Sequence, residues 1–283
     1  MKKLLSIFLI LVCLFLFASC KKEEKENTTF PSSTTKVTTT LSHTVTVTFP
    51  EGFTVKEVAE LLEKNSVCTA KDFITLSNDT AYLETLGYSF IKGIKDAKKR
   101  PFVLEGYIFP DTYEFYRNED VKEVLNRFLD NTESKLTADY KKKAKEAGYT
   151  MDEIIALASI IQEESSEHKH MANVSSVIHN RLESPDYGRL ECDVSIHYLN
   201  EAIKDSPYIT YDIDAAYEYY DTYDKRGLPL GAICNPGTHA IEAALTPAET
   251  EYYFFVTDKD WNYYFSETYD EHLIRCEEAG IEW

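Results

Sequence analysis

The chain has 283 residues, 43% of them hydrophobic and 28% charged, with 30 basic against 48 acidic side chains and a formal charge of −18. This length and composition supply a core for one or two domains, and 10 Gly with 9 Pro exclude a collagen-like or wholly disordered chain. So negative a surface repels phosphate backbones and argues against nucleic acid as a partner. The 20 Tyr and 15 Phe suit core packing and equally suit stacking on sugars.

Lys2 and Lys3 precede an almost unbroken apolar run from Leu4 to Phe17, which is followed by Ala18-Ser19-Cys20. A short basic region, an apolar stretch and small residues before a cut site make residues 1–19 an export signal. The run is shorter than the roughly 20 residues of a membrane span. The small residues ahead of Cys20 resemble a bacterial lipoprotein signal, which implies cleavage before Cys20, acylation of its thiol and a lipid anchor on the extracytoplasmic face of the cell membrane. An uncleaved N-terminal anchor and an ordinary cleaved signal are the alternatives, and all three export the remainder. Cys68, Cys192, Cys234 and Cys276 show neither CxxC pairing nor metal-ligand spacing, so no zinc site is expected. They are either two disulfides or buried thiols.

Residues 20–43 have no apolar periodicity, and ten of the fifteen residues from 28 to 42 are Ser or Thr. Such a segment buries too little to offset its ordering entropy and is expected as a disordered tether. As a flexible coil it spans about 25–30 Å. From Thr44 the pattern changes. Val45, Val47 and Phe49 alternate with Thr as in a strand, Pro50-Glu51-Gly52 turns the chain, and Thr54 with Glu57 forms a capping box for a helix with Val55, Val58, Ala59, Leu61 and Leu62 on one side. A second helix is expected over 70–76. Strand, helix and helix resemble a small LysM-type module, a fold often used on glycan chains, although generic α+β packing gives the same periodicity. A basic connector, Lys92 to Arg100, closes this part at 44–100.

The remainder, 101–283, reads as mixed α+β. Helices are expected over 122–129, 138–147, 152–165 and 171–182, and strands over 252–256 and 263–265 on either side of a turn at 258–262. The helix from Asp152 to Ser165 is the most informative. At about 100° per residue, Ile154, Leu157, Ala158 and Ile161 define its apolar face. Glu163 then points to water, whereas Glu164 lies at the edge of the core. A carboxyl held against apolar surface has its charged form disfavoured, and it stays protonated and able to donate near neutral pH. The alternative is that Glu164 pairs with a cation such as His168 or Arg181.

At this point several segments become recognisable in order. Leu157-Ala158-Ser159-Ile160-Ile161-Gln162-Glu163-Glu164 and Val174 to Leu182 resemble the MltG (YceG-like) family of endolytic murein transglycosylases. So do Leu104 to Tyr113 (LEGYxFPDTY), Leu190 to Asp193 (LQTD), Tyr220 to Tyr223 with Gly227-Leu228-Pro229, Asn235-Pro236-Gly237 with the helix after it, and Phe254 to Val256, Phe265-Ser266 and His272. Gln162, Glu191, Cys192, Val194, Asp221 and Leu230 depart from the family pattern. The resemblance implies peptidoglycan glycan strands as substrate, cut within the chain between N-acetylmuramic acid and N-acetylglucosamine. Glu164 first protonates the leaving oxygen and then, as carboxylate, takes the proton of the muramic 6-hydroxyl as that oxygen attacks its own anomeric carbon, leaving a 1,6-anhydro end. One carboxyl suffices because the nucleophile belongs to the substrate. No metal or organic cofactor is implied, and peptidoglycan synthases are the further partners the resemblance raises.

Around this acid the resemblance offers Glu105, Tyr107, Asp111, Asn180, Arg181, Asp193, Tyr220, Tyr223 and Asn235 as substrate-binding residues. Each has a structural reading beside it: core aromatics around a turn for Glu105 to Asp111, a solvated helix end for Asn180 and Arg181, a turn for Asn235. Asp193 is also the residue a two-carboxylate hydrolase would use. A metal hydrolase built on His168 and His170 lacks HExxH, and these histidines are expected in a loop. There is no GxSxG elbow for serine chemistry. A lipoprotein that binds glycans or a synthase without cutting is the remaining rival.

Overall fold

The computed structural model describes residues 43–281 apart from 166 and 205. The expected signal segment, Cys20 and nearly all of the tether lie outside the described residues. Thr44–Thr48 forms strand β1, with Val47 turned inward and Phe49 buried just after it. Thr54 caps α1 (Val55–Lys64) with the expected capping box, and α2 (Ala70–Ser77) and α3 (Thr80–Thr85) follow, capped by Thr69 and Asp79. The partner of β1 is distant: β2, Thr112–Tyr116, runs antiparallel to it, with Thr44 opposite Tyr116 and Thr48 opposite Thr112. The pairing crosses the boundary expected at residue 100, so 44–100 closes its sheet only with residues from the following part.

α4 (Val121–Lys135) covers this sheet with Phe128, whose ring meets Phe49, Phe73, Tyr113 and Phe115 at centroid distances of 4.5 to 5.8 Å. The stretch expected as a basic connector ends inside the core. Arg100 is 4% exposed and donates to the Asp152 carboxylate at 2.5 Å and to the Leu230 carbonyl at 2.8 Å, while the Tyr107 hydroxyl donates to the other Asp152 oxygen at 2.7 Å. A buried charge is tolerated where such bonds satisfy it, and losing one partner leaves an expensive orphan.

α5 (Ala138–Glu146) leads to α6 (Met151–Glu164), which Thr150 and Glu153 start with a second capping box. All residues of α6 from Ile154 to Ile161 are buried, so the helix is enclosed rather than amphipathic. Its neighbours are α5, α7 (His168–Glu183), α8 (Asp193–Tyr198) and α10 (Thr238–Leu245); α9 (Ile213–Tyr220) precedes α10 in the chain. α7 begins at His168, so His168 and His170 stand in its first turn instead of in a loop. The Ser175 hydroxyl donates to Ala243 O at 2.7 Å, and the Ile233 amide donates to Ser159 Oγ at 3.0 Å, fastening α7 and the 232–235 segment around α6. β3 (Phe254–Thr257) and β4 (Tyr263–Ser266) form an antiparallel hairpin, and α11 (Tyr269–Glu278) lies on it. The described cysteines are free thiols, with Cys192, Cys234 and Cys276 buried. Among the described residues no helix is long and apolar enough to cross a membrane.

Gly106 marks where the Leu104 to Tyr113 segment presses on α6. Its φ is +88°, and a Cβ there would stand 2.5 Å from Ile155 Cγ2 and 2.6 Å from Ala232 Cβ. Gly106→Ala is therefore expected to cost about 2–4 kcal/mol of unfolding free energy, read from urea denaturation.

Candidate active site

α6 is buried until its last turn, where it delivers two consecutive glutamates to different places. Glu164 enters a groove of about 380 Å³ walled by Val177, Ile178 and Arg181 of α7, Leu190 to Asp193 ahead of and at the start of α8, Tyr223, the hairpin residues Tyr253 to Phe255, and Tyr269 and His272 of α11. That volume falls within the range of small-ligand sites. The Tyr263 hydroxyl donates to the Glu164 carbonyl at 2.8 Å, tying the hairpin to the end of α6.

Burial raises the Glu164 carboxyl from its ordinary 4.5 to about 7; the charges of Asp193 and Glu163 push the same way, and a hydrogen bond from the Cys192 thiol opposes them. The C-terminal end of α6 adds its own partial negative charge, which also disfavours the anion. The two cations weighed as partners are engaged elsewhere: Arg181 pairs with Glu191 and His168 with Glu51. The result is a carboxyl group that keeps a large protonated fraction near neutral pH and faces an aromatic groove, fitted to donate a proton and then accept one.

Glu163 is solvent-exposed, as its helical position suggested, and it stands at the edge of a second cavity. Its carboxylate lies over Gly52 and beside the Cys234 thiol, in a separate cavity of about 450 Å³ that Glu57, Glu60 and Glu201 also line. Burial, together with the Glu57 and Glu201 charges, raises its pKa.

Of the residues expected around the acid, Arg181, Asp193 and Tyr223 share its groove. The Tyr223 hydroxyl donates to Asp193 Oδ1 at 2.6 Å and holds the ring as a wall. Arg181 is spent on structure: it donates to Arg189 O at 2.9 Å, to Tyr253 O at 3.2 Å and to Glu191, and lies 5.5 Å from the Phe254 ring centroid. Asn180 supports the groove from behind, its amide donating to Thr250 O and Tyr252 O, each at 2.9 Å.

Five expected contacts are placed elsewhere. Glu105 is 1% exposed and accepts from the Val55 amide at 2.8 Å and the Tyr198 hydroxyl at 3.2 Å; burial raises its pKa to about 8. Asn235 is equally buried, accepting from the Ile108 amide at 2.8 Å and donating to Phe53 O at 2.7 Å. Both join the turn before α1 to the rest of the fold. Tyr107 is stacked on Phe90 at 5.1 Å in the core, and Tyr220 is buried against Tyr198. Asp111 is exposed beside Lys135, 3.5 Å away. Those buried side chains have no surface to offer a glycan. The sequence reading missed Glu191, Cys192, Tyr253 and Tyr269 as groove residues; only their nearness to Arg181, Asp193 and the Phe254 strand could have hinted at it.

The fold and groove thus define a helix-rich α+β protein presenting a carboxylic acid of raised pKa in an aromatic cleft. A model described as the YceG-like family matches residues 25–278, and the chain belongs to that family. It is similar to the endolytic murein transglycosylase of Bacillus subtilis (strain 168), 28% identical over 231 residues, which are 80% of this chain and 62% of that protein. The endolytic murein transglycosylase of Streptococcus pneumoniae is 24% identical over 248 residues, 80% of this chain and 43% of that protein. The chain therefore spans less than two thirds of the length of these curated relatives. Among solved structures, the 2.6 Å crystal structure of a yceG-like protein from Listeria monocytogenes superposes with a TM-score of 0.67 at 25% identity, covering 81% of this chain and 75% of that one.

A raised carboxyl pKa has a stability signature. Between pH 4.5 and 7 the folded chain holds a proton on Glu164 that the unfolded chain releases, so stability falls as pH rises through this window and stays lower above it. Gln does not titrate. Glu164→Gln should therefore be more stable than the parent chain by about 1–3 kcal/mol at pH 8, after discounting for partial exposure, and equal to it near pH 4, as read from urea midpoints.

Proposed function

We propose that this protein is an endolytic lytic transglycosylase that cuts peptidoglycan glycan strands between N-acetylmuramic acid and N-acetylglucosamine and leaves 1,6-anhydro ends. The observation that carries the reading is Glu164, a half-buried acid with a pKa raised to about 7 at the floor of an aromatic groove. Membership in the YceG-like family and the names of the relatives support the same chemistry. Neutral Glu164 protonates the glycosidic oxygen as the bond to the muramic anomeric carbon breaks. The resulting carboxylate accepts the proton of the muramic 6-hydroxyl while that oxygen closes on the same carbon, so the acid is regenerated without water. Asp193, held by Tyr223, supplies negative charge near the developing positive charge on the sugar.

The β1–α1–α2 part with β2 serves, in this reading, as a LysM-like glycan-holding element. The lipoprotein-like sequence at 18–20 supports a lipid on Cys20 and a site of action at the outer face of the membrane, where nascent strands and their synthases lie.

Sacculi incubated with the full chain should release muropeptides with anhydro ends, identified by mass spectrometry. Glu164→Gln should lower the cleavage rate at least 1,000-fold, on the order of what losing the essential acid–base group removes, with its circular dichroism unchanged. Reducing ends would instead identify a hydrolase using Asp193 as second carboxylate, and unchanged sacculi a binding protein. Because the neutral acid starts the reaction, kcat/KM should fall tenfold per pH unit above about 7, and this limb should shift if Asp193 is changed to Asn, to lower pH.

A further inference from the structure

Away from the groove, three elements far apart in sequence bring metal-binding side chains together. Glu51 comes from the turn before α1, His168 from the first position of α7 and His239 from the first turn of α10. One donor atom from each lies within 4.8 Å of the others. The two imidazole rings are stacked with centroids 3.9 Å apart and planes 17° off parallel, and His168 Nε2 stands 3.5 Å from Glu51 Oε2. Around a tetrahedral ion at about 2.0–2.1 Å from each ligand, donors are separated by roughly 3.4 Å. Two near-parallel rings cannot both aim an in-plane lone pair at one ion, so binding requires the exposed imidazoles to unstack and swing apart until their centroids stand roughly 5 Å from each other.

The surroundings favour this use. The Glu51 carboxylate occupies the space that a side chain at 237 would fill: a Cβ on Gly237 would stand 1.9 Å from Oε1. His168 and His239 also open onto a cavity of about 370 Å³ shared with Tyr140, Lys143 and Glu242, which gives an ion an entry path and room for a water. Two neutral imidazoles and one carboxylate with an open position suit a borderline divalent ion such as Zn²⁺ better than Mg²⁺ or Ca²⁺, which prefer all-oxygen sites.

We propose that Glu51, His168 and His239 bind one divalent transition-metal ion, Zn²⁺ being the commonest for this ligand set, as a staple between the turn before α1 and the N-terminal ends of α7 and α10. The ion takes no part in the glycan chemistry. Because it binds ligands assembled only by folding, it stabilises the folded chain by mass action. The turn it holds carries Gly52, against which Glu163 rests, so the staple also fixes one wall of the acidic cavity beside α6.

The test is titration of the chelator-stripped full chain with Zn²⁺ alone by calorimetry, and with Co²⁺ alone by visible absorption. One ion per chain is expected, with a raised thermal midpoint and with Co²⁺ d–d bands of an open imidazole site lacking a thiolate charge-transfer band. His168→Ala and His239→Ala should each weaken binding at least about tenfold, comparable to the loss from disturbing even an outer-shell partner. Gly237→Ala should weaken it too, by displacing the Glu51 carboxylate without removing any of the three ligand residues, whereas His43→Ala should not. Absence of stoichiometric binding by the full chain, a thiolate band, or binding that survives in the His168→Ala/His239→Ala double variant would overturn the proposal.

Discussion

The enclosure of α6 is the constraint from which the rest of this structure follows. A helix buried on every side from Ile154 to Ile161, with Ser159 its one polar side chain there, must be wrapped by other elements, and α5, α7, α8 and α10 do this. Where the wrapping stops, the final turn emerges between walls already built, so Glu164 meets a groove while Glu163 stands exposed at the edge of another cavity. Glu164 owes its raised pKa to that position, and so does Glu163 on the neighbouring side. The acid needs no special partner; it needs a rigid apolar support and a groove beside it.

A second layer of polar residues holds those walls in place. Arg181 and Asn180 spend their donors on the carbonyls of the segment entering β3, and the Tyr263 hydroxyl returns from β4 to the end of α6. On the other side Glu105 and Asn235 bind backbone groups of the turn before α1 and of the 108 segment. Motif residues in this protein are therefore of two kinds. A few face the groove, and many serve as buried polar fasteners whose loss would leave unpaired groups in the interior.

This explains which parts of the site were legible in the sequence. Glu164 was legible because helical geometry sets its angle to the apolar face. Tyr223 and Asp193 were suggested by motif order and do reach the groove. Glu105, Tyr107, Tyr220 and Asn235 belong to the same motifs yet lie in the core, since recognisable order in a sequence does not distinguish a side chain that touches substrate from one that satisfies a neighbouring amide. Glu163 was legible in the same way as Glu164: its angle on the helix is away from the core, and it is exposed there, with Gly52 and Cys234 from remote segments beside it.

Local chemistry determined the capped helices, with Thr54–Glu57 and Thr150–Glu153 as their starts, and the alternating strands, because capping and side-chain periodicity act over a few residues. Tertiary structure alone decided that β1 would pair with β2 across more than sixty residues, that Arg100 would end buried on Asp152, and that His168 and His239 would stack beside Glu51. Those outcomes depend on how enclosed elements fill space around α6, and no short-range pattern encodes contacts between segments that only a completed core brings together.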